Sequence, residues 1–229
     1  MIGGAGAIAP LGGPMFSIRN VTYRTILDIP ELEIPGRQVT CIVGHSGSGK
    51  TTLLKLLNRM ISPDSGTILY DGRPITEIDP ITLRRQVVML PQSPVIFDGT
   101  IRDNLLKGLE FSERPPVDDA RLTAILDIMA LGGKSLDADA TMLSGGEKQR
   151  VALGRLLAMR PPVALLDEPS SALDAGTERA IIDRLVAGAR EYGITLVIVT
   201  HAREMAERIA DSLIEIENGR IVARAGSTP

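Results

Sequence analysis

The residues best suited to chemistry form one run, Gly44-His45-Ser46-Gly47-Ser48-Gly49-Lys50-Thr51. It fits the Walker A pattern, in which glycines let the backbone curl until successive N–H groups converge on phosphate oxygens. Lys50 then reaches the β and γ phosphates, and Thr51 offers its hydroxyl to Mg²⁺. Thr52 follows in a helix whose positive N-terminal end adds to the cradle. Later in the chain, the apolar run Val163-Ala164-Leu165-Leu166 leads into Asp167 and Glu168. A strand ending in paired carboxylates delivers both to the crevice at the C-terminal edge of a parallel sheet. Asp167 is expected to hold Mg²⁺ through its water shell, and Glu168 to orient and help deprotonate an attacking water. Gln92 follows VVMLP, where its amide can touch both metal and water. His201 ends TLVIVT, where a neutral imidazole would bond the γ-phosphate and steady Glu168. Taken alone, Gln92 and His201 are ordinary polar strand ends; their meaning comes from the loop and the carboxylates.

These residues meet only if strands and helices alternate around them. Clustered β-branched residues between turn formers predict strands at 16–23, 38–43, 67–70, 87–90, 163–166, 195–199 and 213–217. Periodic apolar spacing predicts helices over 51–60, 118–129, 145–159, 175–190 and 203–209. Strand–helix alternation in the second half argues for right-handed crossovers and a parallel sheet covered by helices. The middle reads differently. Between Gln92 and Ser144 the pattern is helical, broken at Arg114-Pro115-Pro116 and without a convincing strand. It predicts a small helical lobe, about residues 93–158, inserted into the α/β core. Residues 1–14, Gly/Pro-rich with no basic or sustained apolar segment, read as a flexible extension rather than a signal peptide, with Met15 as an alternative start. Residues 15–229 read as one domain.

Composition bounds the function. An apolar fraction of 44% over 229 residues is ample for a buried core. A net charge of −3 with interspersed signs gives no field that draws a protein onto nucleic acid, so no nucleic-acid partner is expected. The lone Cys41 cannot form an internal disulfide and fits a reducing cytosol. Apolar runs such as LVIV fall far short of the roughly 20 residues that span a bilayer.

At Leu143-Ser144-Gly145-Gly146-Glu147-Lys148-Gln149-Arg150 the sequence resembles the signature motif of the ATP-binding-cassette (ABC) ATPases. The likeness runs from Tyr23 to about Arg220, taking in the A-loop aromatic Tyr23, the Walker A loop, the Q-loop Gln92, the signature, Walker B, the D-loop Ser171-Ala172-Leu173-Asp174 and the switch His201. It implies a P-loop NTPase fold with a mainly parallel sheet flanked by helices, an N-terminal antiparallel β portion and the helical lobe. It also implies a head-to-tail dimer, taken here as two copies of this chain, with each ATP and its Mg²⁺ between one subunit's Walker A loop and the other's signature. Ser144, Gly145 and Gly146, as free amides at a helix start, would receive a partner's γ-phosphate. Tyr23 would stack on adenine, and Asp174 would cross the interface. The resemblance further implies an integral membrane partner, with this chain as ATPase on the cytoplasmic face of the cell membrane.

The apolar stretch Pro94-Val95-Ile96-Phe97-Asp98-Gly99-Thr100-Ile101 reads both as lobe packing and as a socket for a membrane subunit's cytoplasmic helix. PQSPVIFDGTIRDNL is similar to the corresponding string of exporters and of compact two-component transporters for metal ions or related solutes. The rival readings are a soluble ABC ATPase, a P-loop kinase or switch, and a non-hydrolysing module. A repair-type ABC protein would carry a long coiled-coil insertion, a translation-factor type two cassettes. A kinase would lack the SGG signature, and a silent module would be expected to lose Lys50 or Glu168.

Overall fold

The computed structural model describes residues 14–226, so all of the expected N-terminal extension but Pro14 lies outside the described residues. The chain begins with a hairpin, β1 (Phe16–Tyr23) and β2 (Leu27–Ile34), paired from Phe16↔Ile34 to Tyr23↔Leu27. It continues through β3 (Val39–Val43) into α1 (Lys50–Leu57), then β4 (Ser65–Tyr70) and the short β5 (Arg73–Pro74). Next come α2 (Pro80–Gln86), β6 (Val87–Leu90), α3 (Ile101–Phe111), α4 (Asp119–Ile128) and α5 (Gly145–Met159). The remainder alternates: β7 (Val163–Asp167), α6 (Ala175–Glu191), β8 (Thr195–Thr200), α7 (Arg203–Ile209), β9 (Ser212–Glu217) and β10 (Arg220–Gly226).

Two sheets result. The first is antiparallel, ordered β2-β1-β4-β5; the second runs β10-β9-β3-β8-β7-β6 and is parallel except for its edge strand β10. The expected α/β core with a mainly parallel sheet and an N-terminal antiparallel portion is the fold observed. Strand alternation explains the layering, because successive side chains point to opposite faces. Val39, Cys41 and Val43 of β3 pack with α5, α6 and α7, whereas Ile42 joins α1 and the antiparallel sheet. In β7, Ala164 and Leu166 face the first of these layers, and Val163 and Leu165 the second.

In the middle segment α3, α4 and α5 pack together through Leu105, Leu122, Ile125 and Leu153, and their core is continuous with one face of the parallel sheet. Five helix starts carry oxygen caps. Thr100 and Ser144 form capping boxes with Asp103 and Glu147, and Asp79, Asp118 and Asp174 each accept a backbone N–H from the first turn. The sequence reading did not find β2, β5, β10 or α2, nor did it resolve α3. The first helix ends at Leu57 rather than residue 60, because Arg59 takes a left-handed φ of 56°.

Candidate functional site

Residues 44–49 bridge β3 and α1. Gly49 carries the turn: its φ of 103° disfavours any L side chain, and a Cβ there would stand 2.6 Å from Leu27 Cδ2. Gly47 faces open space, and its φ of 79° alone asks for glycine. Lys50 is folded over the loop, its Nζ donating to Gly44 O at 2.9 Å and His45 O at 2.8 Å. An ammonium has three donors, so one is left for an incoming anion. His45, Ser46 and Gly47 are exposed, while Ser48 turns into the protein and spends its N–H on His45 O at 3.2 Å.

Beside the loop opens a cleft of about 580 Å³, lined by Lys50, Thr51, Thr52, Gln92, Asp167, Glu168 and His201 among others. Four separate stretches of the sequence thus share one space. Thr51 Oγ1 lies 3.0 and 2.9 Å from the two Asp167 oxygens, tying the start of α1 to the end of β7. Asp167 is buried, and burial pushes its carboxyl above the usual range; the Glu168 charge adds to that push, while Thr51, Lys55 and Lys50 oppose it. A carboxylate so placed calls for a cation. No cluster of three or more His, Cys, Asp or Glu among the described residues could hold a metal unaided. The Thr51 hydroxyl and Asp167 carboxylate are nonetheless hard oxygen ligands, the partial set that Mg²⁺ takes when phosphates and waters complete its shell.

Glu168 leaves β7 with a φ of 47°, unusual for a residue with a side chain and costing roughly 1 kcal/mol. Its N–H donates to Val199 O at 2.9 Å, so the sheet fixes this turn and aims both acids at the cleft. The Glu168 Oε2 lies 3.0 Å from His201 Nδ1 and accepts the His201 backbone N–H at 3.4 Å. That geometry refines the imidazole's expected double role. A neutral ring has one N–H; when Nδ1–H is spent on Glu168, Nε2 is an acceptor, and contact with a phosphate needs a second ring proton or release of Glu168.

The remaining expected residues stand apart from this cleft. Ser144, Gly145 and Gly146 open α5, with Ser144 and Gly145 exposed and nothing within 4 Å of where a Gly145 Cβ would be. The Ser144 Oγ accepts Glu147 N–H at 3.3 Å, and Glu147 Oε2 accepts Ser144 N–H at 2.9 Å. The box therefore leaves the Gly145 and Gly146 amides and the Ser144 O–H available. Asp174 caps α6 by accepting Thr177 N–H at 3.0 Å, an intrachain duty that coexists with exposure. Tyr23 ends β1 partly buried against the core, with the Arg24 guanidinium 5.2 Å from its ring centre.

Sequence reasoning missed Ile26 and Val199 as cleft walls. Ile26 gave no signal because it sits in the β1–β2 turn, which brings it to the loop only once β2 pairs. The apolar stretch after Gln92 is less uniform than expected: Val95 is 59% exposed, Phe97 is half-buried, and Ile101 is fully buried as the first residue of α3. Phe97 packs edge-on to Phe111 under the Arg155 guanidinium, beside an open apolar groove also lined by Ile81, Val88 and Met159.

Comparison with known proteins adds four findings. The family model described as ABC transporter matches residues 27–171. Protein STAR1 of Oryza sativa subsp. japonica is 39% identical over 227 residues, 96% of this chain and 65% of that protein. The Methionine import ATP-binding protein MetN of Geobacillus kaustophilus (strain HTA426) is 37% identical, covering 86% of this chain and 59% of its own length. The chain thus spans less than two thirds of these relatives. Among solved structures, a bacterial Atm1-family ABC exporter with ATP bound superposes with a TM-score of 0.84 at 30% identity, over 98% of this chain and 41% of the other. No helix among the described residues is long and apolar enough to cross a membrane.

Proposed function

We propose, from the premise that this chain belongs to the ABC transporter family, that it is the ATP-hydrolysing motor of a membrane transporter and works as a pair of cassettes around two ATP molecules. One observation carries the reading: Lys50, Thr51, Asp167, Glu168 and His201 line a single cleft at the C-terminal edge of a parallel sheet. Each has a chemical task there. The free Lys50 donor and the loop amides bind the triphosphate. Bound Mg²⁺, held by Thr51 and Asp167 with Gln92 near, would neutralise charge on the phosphates. Glu168 takes a proton from the attacking water, and His201 holds that carboxylate in position. Tyr23 offers a ring for adenine.

The start of α5 has unused donors on an exposed end of the same molecule, outside the residues that line the cleft. A second cassette supplies the missing wall, its Ser144 hydroxyl and Gly145 and Gly146 amides closing on the γ-phosphate. Hydrolysis removes the group that both walls bind, so the closed pair is favoured only before turnover. The motion passes to a membrane subunit through the groove of Ile81, Phe97 and Phe111, whose exposed apolar rim fits a short cytoplasmic helix. MetN is named for import and the Atm1-family neighbour for export, so the likeness of the cassette supports a motor role common to both directions. The test is recovery of the full-length protein from detergent-solubilised native membranes. An integral membrane protein should come with it in fixed ratio. Recovery only from the soluble fraction, with no such partner, would favour a soluble ABC ATPase.

A further inference from the structure

The end of α5 assigned above to a partner's phosphate has a built-in conflict of charge. Its capping box needs an acceptor oxygen at the third helical position, and here a carboxylate supplies it, Glu147 accepting Ser144 N–H at 2.9 Å. That places a negative group within one helical turn of the amides meant for a polyanion, where it works against the helix's own positive end. The loop after α4 resolves the conflict. Lys134 reaches across from the Leu131–Lys134 turn, itself closed by Lys134 N–H to Leu131 O at 2.8 Å, and its Nζ lies 2.8 Å from Glu147 Oε1. The two Glu147 oxygens are thereby divided, one for the cap and one for the lysine. The lysine side chain is 41% exposed and the glutamate 20%, so the pair sits at the surface beside the exposed Gly145.

We propose that Lys134 is a positioning residue for the shared nucleotide site: by pairing with Glu147 it cancels the negative charge that the capping box brings to the phosphate-receiving end of α5. This rests on the reading that α5 receives phosphate from a second cassette. The cap keeps its geometry, and the helix end keeps its attraction for an anion. Lys134 touches no reacting atom; it acts through Glu147.

The experiment measures ATPase rate and ATP-driven association against ATP concentration for the full chain and for Lys134→Gln, Glu147→Gln and the double variant. Lys134→Gln should raise the half-saturating ATP concentration about fivefold, with a smaller change in kcat. Binding of a fluorescent ATP analogue to the dilute monomer should stay unchanged. Adding Glu147→Gln to Lys134→Gln should return half-saturation to within about twofold of the parent, because the orphaned charge is gone while an amide oxygen still caps. At about 0.5 M salt the defect of Lys134→Gln should largely vanish. A purely structural lysine would show neither the rescue nor the salt response. A Lys134→Gln variant indistinguishable from the parent, or a double variant as impaired as the single, overturns the proposal. Ser144→Arg separates the two levels: if it leaves ATP-driven association intact, the shared-site reading itself fails; if it abolishes association while Lys134→Gln is silent, only the role of Lys134 falls.

Discussion

The cleft under the phosphate loop and the exposed start of α5 are the two places to which the proposed function assigns phosphate, and their own chain finishes them to different degrees. In the cleft every charged group has a partner from its own chain: Lys50 with Gly44 O and His45 O, Asp167 with Thr51, Glu168 with His201. At α5 the capping box satisfies the Ser144 and Glu147 N–H groups and leaves those of exposed Gly145 and half-buried Gly146 outside it. A single chain can prepare its catalytic groups internally because they must be held in register. Under the proposed function, the second wall stays open because closing it is the switch.

The comparison breaks most visibly at Glu168. Glu168→Gln should lower steady-state ATP turnover by at least about a hundredfold while nucleotide binding survives, since the amide fills the same space but cannot accept the water's proton. Phosphate release and filter binding check the two halves of that statement. Lys50→Ala should instead lose affinity for ATP, because no other cation among the cleft's lining residues reaches over the loop. Equal damage to binding from both variants would erase the division of labour proposed within the cleft.

A smaller effect tests the support beneath α5. A Cβ at Gly154 would meet Ile125 Cγ2 and Leu105 Cδ2 at 3.0 Å each. Gly154→Val should therefore cost about 1–3 kcal/mol by overpacking α3 and α4 against α5, seen as a lower thermal midpoint. If the cleft is as self-sufficient as its internal bonds imply, ATP binding to the folded variant changes less than association does.

The smallest effect concerns acid. Lys134 first, and then the Ser144 N–H, pull the Glu147 carboxyl down from 4.5 to about 2. A carboxyl with a depressed folded-state pKa stabilises above its unfolded value and loses that contribution as pH falls from 4.5 towards 2. Thermal melts of Glu147→Gln should accordingly decline less than those of the parent across that window, with the two curves parallel above it.

Much of this was legible before any coordinates, and the reasons are local. β3, β7 and β8 are largely apolar runs because both faces of the parallel sheet are covered, and α5 shows in its periodic apolar spacing. What escaped was structure without a strong local signal. Pro30 and alternating acids disguise β2, which tolerates them as the edge of its sheet. β10 lies at the other sheet's edge, mostly exposed, so little apolar patterning marks it. The left-handed turn at Glu168 and the one-proton constraint on His201 are geometric facts that no residue spacing encodes. Asp174 shows another limit: the family resemblance assigned it to an interface, and the helix cap it also forms was not read from the sequence.

The claim beneath all of these is that ATP is held between two copies of the cassette. The direct measurement is sedimentation of Glu168→Gln at high concentration, with and without ATP and Mg²⁺. The account predicts a monomer in the absence of nucleotide and a long-lived dimer carrying two ATP in its presence; a species that binds ATP and stays monomeric would contradict it.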